Sequence, residues 1–449
     1  MNYTARQRRH LLQALLTLPW MGAAGAATGQ RPVLVIGAGM AGLSAARDLK
    51  AAGHKVIVLE ARDRIGGRAH TDRNLGHAID MGAAWIHGVE ENPVHALAEE
   101  AGARTVATDW DALVVYRGKQ RVSDAVLEAG DALYNRWLDD IAEDSAPGAS
   151  LGSALAQRAE AITRDADPLA LGVARFLLGS GIELDYGDDR GAMAASSFNA
   201  DEGYEGEEVM FPDGVDVIPK LLARGLDVRL GARVERIEHD AQGVRVRGSF
   251  GTLEAAALVL SAPLGVLQSG SIELAPGWPE AHRQAMSKLG MGALEKLVLR
   301  FERPFWPADA HWFGMLDTPY PVNFYNLKPL GASNILIAIT GGAGSRAWTR
   351  LGEAAAVEQV MAILRRSFGE LPAPTGVLRS AWNLDPLALG SYSVVRPGGS
   401  FAAMKVLTRP VGPRLWLAGE HTIAEYSGTL HGALLSGRRA ARQVIKALG

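Results

Sequence analysis

The chain has 449 residues, of which 48% are hydrophobic and 21% are charged, and its formal net charge is −3. These values are those of a globular protein too long for one ordinary core, and they give no general attraction to nucleic acid. The absence of cysteine excludes disulfides and thiolate chemistry, and the eleven histidines show no metal-ligand spacing, so no metal is expected.

The N-terminal residues predict an export segment. A basic start with the pair Arg8-Arg9 precedes an apolar stretch and the A-x-A cleavage pattern Ala24-Gly25-Ala26. The arginine pair resembles a twin-arginine signal, although the Ser or Thr that usually precedes such a pair is missing. The stretch is too short for a stable membrane span. We therefore expect residues 1–27 to direct export to the periplasm, the alternative being an amphipathic helix of a cytoplasmic protein.

A dinucleotide-binding unit follows this segment. Val33 to Ile36 is an apolar run typical of a buried strand, and Gly37-Ala38-Gly39-Met40-Ala41-Gly42 completes G-x-G-x-x-G directly after it. A helical stretch, Leu43 to Ala52, and a second strand, Lys55 to Leu59, lead to Glu60, where an acid can bond a ribose hydroxyl. Because these features follow one another within about 30 residues, they predict a dinucleotide whose pyrophosphate lies at the helix N-terminus.

Arginines come next, at Arg62 and in Gly66-Gly67-Arg68. A guanidinium beside a diphosphate forms charge-assisted hydrogen bonds, so both arginines are candidates for the cofactor site.

Further along the chain, the pattern of residues 94 to 200 predicts mostly helix, after which strands return. The later strands are predicted at Asp227 to Ile237, Val244 to Val246, Ala255 to Leu260, Leu294 to Phe301 and Asn334 to Thr340, and Leu415 to Glu420 is typical of a strand followed by an acid. The later helices are predicted at Val217 to Leu222, Glu353 to Phe368 and Leu430 to Leu448.

Taken together, these motifs resemble the flavin-dependent amine oxidase family, most of all its polyamine oxidases and next its lysine-specific histone demethylases. The glycine motif with Gly66-Gly67-Arg68 matches the family's FAD-binding start, and Gly419-Glu420 matches its second FAD motif. Tyr426 to Ala433 matches the helix start beneath the flavin ring. The resemblance runs from about Arg31 to Ala441 and is looser in the helical insertion.

This resemblance implies an α/β fold in which a discontinuous Rossmann-like FAD-binding domain is interleaved with an α+β substrate-binding domain. The return of strands after the helical insertion also predicts a discontinuous first domain. We assign residues 31–88, 206–297 and 385–449 to the FAD-binding domain and residues 89–205 and 298–384 to the substrate-binding domain. The residues expected to bind FAD are Gly37, Gly39, Met40, Ala41, Gly42, Glu60, Ala61, Arg62, Gly67, Arg68, Val234, Gly419, Glu420, Thr429 and Leu430.

The resemblance also implies catalytic positions. Lys296 matches the family lysine that holds a water near flavin N5, and a mid-strand ammonium facing apolar neighbours needs such a partner. His87 falls on the position of a pocket histidine in the polyamine oxidases, and Trp382 lies in another matching passage. Tyr392 and Tyr426 are expected to form aromatic walls around the substrate amine.

The mode of cofactor attachment follows from Ser391. Monoamine oxidases carry at this position a cysteine that is joined to the flavin, and this chain contains no cysteine. We therefore expect the FAD to be bound non-covalently. Thr429 lies where some relatives carry a second cage aromatic, so the enclosure is expected to be more open here.

An acidic stretch suggests how the substrate is selected. Nine acids against a single base, Arg190, lie between Glu183 and Glu208. Acid clusters are usually solvated faces, but acids at a cavity entrance would attract a multiply charged polyamine.

The expected reaction is two-electron oxidation of an amine, most of all a polyamine, to an imine that is hydrolysed to an aldehyde. The electron acceptor is expected to be O₂, giving H₂O₂, or else an electron carrier. The alternatives are a monoamine, a nicotine-like N-heterocyclic amine or an amino acid, the last requiring an arginine that the sequence does not place. A non-catalytic flavoprotein is a remote alternative. Histone demethylation is disfavoured because the chain shows no coiled-coil insertion and no basic chromatin-binding block.

Overall fold

Short apolar runs from distant parts of the chain form one parallel sheet. The computed structural model describes residues 31–200, 202–307, 309–320 and 322–449. In spatial order the strands of this sheet are Asp227–Arg229, Val56–Leu59, Val33–Ile36, Ala257–Leu260 and Leu415–Leu417. The three central strands are buried along their whole length, which explains their continuous apolar sequence. The predicted export segment, residues 1–27, lies outside the described residues, so export stays a prediction.

Two helices from opposite ends of the sequence pack closely beside this sheet. They are Met40–Ala51, directly after the glycine loop, and Leu430–Leu448, at the C-terminus. A Cβ on Gly437 would lie 2.2 Å from the carbonyl oxygen of Ala41, so only glycine permits this approach. The hydroxyl of Ser44 donates to the carbonyl of Leu434 at 2.9 Å across the same contact. The first and last parts of the described chain are thereby joined at one place.

A second, mixed sheet has seven strands. In spatial order they are Gly376–Arg379, Leu294–Arg300, Ile335–Gly341, Asn323–Asn326, Trp312–Met315, Leu113–Arg117 and Gln120–Arg121. Neighbours are antiparallel except for Trp312–Met315 and Leu113–Arg117, which run parallel. The assigned domain boundary between residues 297 and 298 falls inside the strand Leu294–Arg300, which belongs to this sheet as a whole.

The region predicted to be mostly helical contains two strands of this second sheet. Leu113–Arg117 is a short run whose three central residues are buried, and a run of this kind cannot be distinguished from a helical segment by its periodicity. The prediction was therefore wrong for Leu113–Arg117 and Gln120–Arg121, which pair with each other. From residue 124 onward the insertion is helical, with a five-residue π-helix, Leu178–Ile182, in the wall of the central cavity.

Further helices and strands surround these two sheets. The other helices are Pro93–Ala101, Asp124–Leu138, Ile141–Asp144, Leu151–Thr163, Pro168–Leu177, Glu183–Asp185, Val217–Leu222, Leu264–Ser269, Glu280–Ser287, Gly342–Arg350, Glu353–Phe368 and Ala402–Leu407. The other strands are Thr71–Asp72, Ile79–Asp80, Trp85–Ile86, Val106–Ala107, Val209–Met210, Val234–His239, Val244–Gly248, Gly251–Ala255, Glu273–Ala275, Leu289–Met291 and Ser393–Val395.

The predicted α/β fold with a parallel, discontinuous nucleotide-binding sheet is confirmed, whereas the domain boundaries stay a prediction. Residues 32–449 form one compact unit. None of the helices in the described ranges is long and apolar enough to cross a membrane.

Candidate active site

A cavity of about 1450 Å³ lies between the parallel sheet, the second sheet and the helical insertion. Small-molecule sites usually measure about 300–1,000 Å³, so this cavity has room for a dinucleotide and a second ligand. Every candidate site residue predicted from the sequence lines it, apart from Gly42 and Tyr426. Residues more than 300 positions apart in the sequence therefore meet around one space.

The glycine loop forms one wall of the cavity. Gly37 has φ +99°, and a Cβ on Gly42 would lie 1.9 Å from the carbonyl oxygen of Gly37. Gly42 thus allows the helix to pack closely against the loop, although it does not line the cavity. Gly39 precedes the helix Met40–Ala51 and gives its first turn no side-chain cap, so the N–H groups there are available to an anion.

Glu60 braces this loop from inside the cavity wall. One carboxylate oxygen accepts the backbone N–H of Ala38 at 2.7 Å, and the other accepts that of Arg62 at 2.8 Å. The guanidinium of Arg62 lies 2.7 Å from a carboxylate oxygen of Asp385. Ala61 and Val234 line the cavity beside them. These contacts hold the predicted ribose-binding acid in place before any ligand arrives.

An ion pair joins the two predicted FAD motifs. Arg68 donates to Oε1 of Glu420 at 2.9 Å and to the carbonyl of Ser391 at 2.7 Å. The second oxygen of Glu420 accepts from the hydroxyl of Ser393 at 2.5 Å and from the backbone N–H of Gly428 at 3.2 Å. Burial alone would raise the pKa of Glu420, but the charge of Arg68 and these hydrogen bonds outweigh it, and the pKa is lowered.

A second helix also begins at the cavity. The hydroxyl of Thr429 accepts the N–H of Gly432 at 2.9 Å and caps the helix Leu430–Leu448, and Leu430 lines the cavity. The cavity therefore has two helix N-termini, a loop whose glycines leave room for a ligand, and an acid that is already fixed in place. These are the features that a dinucleotide with a diphosphate requires, and they fit FAD.

Lys296 is buried in the cavity wall, with 2% of its surface exposed. Its Nζ donates to the carbonyl oxygens of Asp80 at 2.7 Å and Gly82 at 2.8 Å, and it lies 5.5 Å from the ring centroid of Trp85. Burial lowers the pKa of Lys296 to about 8, and the Asp80 carboxylate partly opposes that shift. The partners that the structure shows are thus two carbonyls. An ammonium has three N–H groups, so one is left for a water or a ligand.

Trp382 and Tyr392 line the cavity, whereas Tyr426 does not. Trp382 donates its ring N–H to the carbonyl of Met81 at 3.0 Å, and the Tyr392 hydroxyl donates to the carbonyl of Leu184. Tyr426 instead stacks on Tyr204, with ring centroids 5.1 Å apart and planes at 8°. The Tyr426 hydroxyl donates to Glu202, which lines the cavity, at 3.3 Å, so a role for Tyr426 as a second wall stays a prediction.

His87 lies in the cavity wall beside Glu208, whose Oε2 is 3.2 Å from His87 Nδ1. About half of the His87 side chain is exposed, but that surface faces the cavity. Burial lowers the pKa of His87, yet the hydrogen bond and the charge of Glu208 outweigh this and raise it. The same Glu208 oxygen accepts the ring N–H of Trp110 at 3.1 Å. The predicted pocket histidine thus lies among acidic side chains of the cavity wall.

Three stacked indoles form an aromatic wall of the cavity. Trp110 stacks on Trp312 with ring centroids 4.9 Å apart, and Trp85 stacks on Trp312 at 5.8 Å. The three indoles line the cavity. The N–H of Trp312 and the Oδ1 of Asn323 are buried and have no hydrogen-bond partner within the described part of the chain. The passage that contains Trp85 resembles one that lines the tunnel of polyamine oxidases, but nothing in the sequence predicted that Trp110 and Trp312 stack beside it.

Two buried histidines lie beside the site. His421, next to Glu420, is fully buried, and neither of its ring nitrogens has a hydrogen-bond partner among the residues that the structure describes. Burial lowers the pKa of His421 to about 4, and that of His431, which lines the cavity, also to about 4. Both imidazoles are therefore neutral in the folded protein at neutral pH.

His421→Leu is expected to reduce the acid sensitivity of the fold. Because the pKa of His421 is lowered in the folded protein, the unfolded chain binds a proton more readily than the folded one. The stability that the neutral imidazole contributes is therefore present above pH 6.5 and is lost as the pH falls towards 4. The shift corresponds to up to about 3 kcal/mol. The free energy of unfolding is measured at pH 7 and at pH 4.5 for both proteins. Between these two pH values, wild type should lose more stability than the variant. An equal loss in both would contradict the prediction, and the exposed His77→Leu serves as control.

Comparison with known proteins adds to this geometry. A family model described as flavin containing amine oxidoreductase matches residues 40–445. Polyamine oxidase 2 of Arabidopsis thaliana is 32% identical over 91% of this chain and 87% of its own length. Lysine-specific histone demethylase 1 homolog 2 of Oryza sativa subsp. japonica is 31% identical over 92% of this chain and 57% of its length. The structure of wild-type putrescine oxidase bound to putrescine has a TM-score of 0.74 at 22% identity, covering 93% and 99% of the two chains, and supports the fold.

Proposed function

Because the chain belongs to the family of flavin-containing amine oxidoreductases and is an FAD-dependent amine oxidase, we propose that it oxidises a polyamine. We further propose that the FAD is held non-covalently and that O₂ accepts the electrons, giving H₂O₂. The similar proteins named polyamine oxidase and putrescine oxidase are consistent with this substrate class. The proposal of a polyamine substrate rests on the negative charges in the cavity wall.

Three members of the acidic stretch line the cavity, namely Asp185, Glu202 and Glu208. Asp185 is exposed to the cavity and accepts no hydrogen bond from the described residues, and burial raises its pKa to about 6 while His87 opposes the shift. A carboxylate that lacks a hydrogen-bond donor in such a place favours a cation as ligand. These cavity acids would hold the distal ammonium of a polyamine.

Three other acids of the stretch are already engaged in ion pairs. Asp188 is fully buried and lies 2.5 Å from Arg346 and 2.8 Å from Arg396, whereas Glu183 pairs with Arg190 at 3.1 Å. Asp189 also pairs with Arg346. Their charges are compensated within the fold and leave the cavity acids to select the ligand.

The reacting end of the substrate would lie near Lys296. An ammonium has no lone pair from which an iminium can develop, so the reacting amine must be neutral. Both the desolvated wall formed with Trp382 and Tyr392 and the positive charge of Lys296 disfavour a second ammonium there. Bound FAD supplies the two-electron acceptor for the amine carbon. The protein contributes orientation, exclusion of water and the charge pattern.

An amino acid fits this cavity poorly. Among its described lining residues the arginines are Arg62, Arg68 and Arg233, of which the first two are paired with Asp385 and Glu420. Arg233 adjoins Val234 on the predicted cofactor side. A planar N-heterocyclic amine is a better second candidate, because the indole wall offers stacking and the N–H of Trp312 is unpartnered.

Anaerobic mixing of the purified enzyme with spermidine, spermine, putrescine, a monoamine and nicotine tests the substrate class. We expect rapid bleaching of the flavin absorbance by the polyamines, whereas bleaching by the monoamine alone would contradict the proposal. Re-admission of O₂ with a peroxidase-coupled assay then tests the acceptor. Stoichiometric H₂O₂ supports an oxidase, and slow reoxidation by O₂ but fast reoxidation by a one-electron carrier would overturn that part.

Asp185→Asn is expected to weaken the binding of polyamines selectively. A hydrogen bond to a charged group contributes about 1.5–3 kcal/mol, so the KM for spermidine should rise roughly 10- to 100-fold while that for a monoamine changes little. Steady-state kinetics with both substrates measure the difference. The matched control is Glu207→Gln, which removes one negative charge from an exposed position outside the cavity lining. Equal effects of Asp185→Asn on both amines would refute a distal-ammonium role.

A further inference from the structure

A buried carboxyl lies directly behind Lys296. Glu295 precedes it on the strand Leu294–Arg300, so the two side chains point to opposite faces of the sheet, and Glu295 is only 1% exposed. It does not line the cavity. Burial of a carboxyl is costly unless hydrogen bonds or an ion pair compensate it. The amine-oxidation mechanism above gives this carboxyl no role.

Glu295 holds the turn that begins after the strand Gly376–Arg379. The hydroxyl of Ser380 donates to one oxygen of Glu295, and the backbone N–H of Asn383 donates to the other at 3.1 Å. The side chain of Asn383 in turn donates to the hydroxyls of Ser345 and Thr349 on the helix Gly342–Arg350. The carboxyl therefore fixes both ends of a four-residue turn.

That turn carries groups that define the cavity. Trp382 lies within it and donates to the carbonyl of Met81 at 3.0 Å, and a Cβ on Gly82 would lie 3.2 Å from the Trp382 ring. The Ser380 hydroxyl accepts the backbone N–H of Lys296 at 2.8 Å. The ammonium of Lys296 donates to the carbonyl of Gly82 at 2.8 Å and so connects the strand to the segment that Trp382 contacts. The turn, the strand and the segment at residue 82 form one connected network.

Glu295 acts in this network by hydrogen bonding. Burial raises the pKa of Glu295 to about 7, opposed by Ser380, by the backbone N–H groups of the turn and by the charge of Arg379 on the neighbouring strand. Its cross-strand neighbour on Ile335–Gly341 is the uncharged Thr340. The charge that acts on the Lys296 ammonium is that of Asp80, so Glu295 influences the lysine through the turn. An ionised carboxyl accepts hydrogen bonds at both oxygens, whereas a protonated one must donate from one of them.

We propose that Glu295 is a positioning residue whose ionised form holds the turn 380–383, and through it Trp382 and Lys296, in the geometry required for amine oxidation. The inference rests on the proposed oxidation of an amine in this cavity and is independent of which amine it is. A proton on Glu295 would lie either against the Ser380 hydroxyl, which would have to give up its donation to the carboxylate, or against the backbone N–H of Asn383, so one of the two hydrogen bonds that hold the turn has to rearrange.

Glu295→Gln tests this proposal, because the amide has the shape of the protonated acid and does not titrate. We expect kcat at pH 8 to fall roughly 10- to 100-fold, the cost of a displaced catalytic group, with KM nearly unchanged. At pH 6 the two enzymes should converge. The acid limb of the pH–kcat profile should lie at a lower pH in the variant than in wild type, near pH 6. There Asp80 and Asp185, each with a pKa of about 6, titrate. FAD content should equal that of wild type.

A second readout does not depend on turnover. The raised pKa of Glu295 means that the folded protein binds the proton more tightly than the unfolded chain, so the contribution of Glu295 to wild-type stability falls as the pH rises from 4.5 to about 7. Glu295→Gln should lack this contribution. If wild type oxidises none of the amines tested, the proposed function fails, and this measurement still reports on Glu295.

Ser380→Ala keeps the test decisive if the glutamine variant does not fold. It removes the hydroxyl that links Glu295 to the Lys296 backbone, and the double variant should lose no more activity than either single one. The control is Glu302→Gln, an exposed acid beyond the end of the same strand. A Glu295→Gln enzyme with the wild-type kcat and acid limb would overturn the proposal, as would fully additive losses in the double variant.

Discussion

Lys296→Met is expected to lower turnover by about 100-fold or more while leaving the FAD bound, since loss of one positioned polar group typically costs 10²–10³ in kcat. Methionine matches the length of the lysine stem but removes the ammonium that contacts the carbonyls of Asp80 and Gly82. The residues that fit FAD are held by other contacts, such as Arg68 with Glu420. Stopped-flow absorbance measures anaerobic reduction by the amine and reoxidation by O₂ separately.

The pH dependence distinguishes this role from a packing role. In wild type, a rate that requires the ammonium should decline as the pH rises through about 8, the lowered pKa of Lys296. The methionine variant should lack that decline. Lys288→Met, at an exposed position eight residues earlier, is the matched control. Wild-type rates in both half-reactions of Lys296→Met would show that the lysine is structural.

Glu420→Ala is expected to yield protein that is largely free of FAD and less stable. Removing the carboxylate leaves Arg68 without its partner in a site where its side chain is only 22% exposed, and it frees the N–H of Gly428 and the hydroxyl of Ser393. Breaking a buried ion pair from one side costs about 3–5 kcal/mol. The ratio of flavin to protein absorbance and the thermal midpoint measure the two effects.

The control for this variant is Glu425→Ala, which removes a half-exposed acid whose partner, Lys405, is 3.7 Å away. Exposed pairs of this kind contribute about 0–1 kcal/mol, so its FAD content should match wild type. Excess FAD should raise the midpoint of Glu420→Ala by mass action if the fold survives. A full complement of FAD in the purified variant would contradict the role of the ion pair.

The cofactor half of the site was predictable because its signals are local. The glycine loop, Glu60 and Gly66-Gly67-Arg68 lie within one short stretch whose backbone dictates their placement, and the structure puts them in the cavity wall. The pairing of Arg68 with Glu420 was not visible, because it links residues 352 positions apart. Sequence motifs identified both partners but not their contact.

The substrate half depended on packing and was predicted less well. Trp110 and Trp312 gave no signal because their stacking follows from how the second sheet and the insertion meet. Tyr426 was placed in the cavity by resemblance, yet its ring packs against Tyr204. Which acids face the ligand was also decided by tertiary ion pairs, such as that of Asp188 with Arg396, which no local pattern reveals.

The parallel sheet also has a consequence for fragments of the chain. The strand Leu415–Leu417 pairs with Ala257–Leu260, and the helix Leu430–Leu448 packs on the helix that follows the glycine loop. The wall of the cavity opposite the glycine loop includes residues of this later part of the chain, such as Glu420 and Leu430. A fragment that ends before Leu415 would lack that wall, so the glycine motif by itself is not a complete binding site for the cofactor.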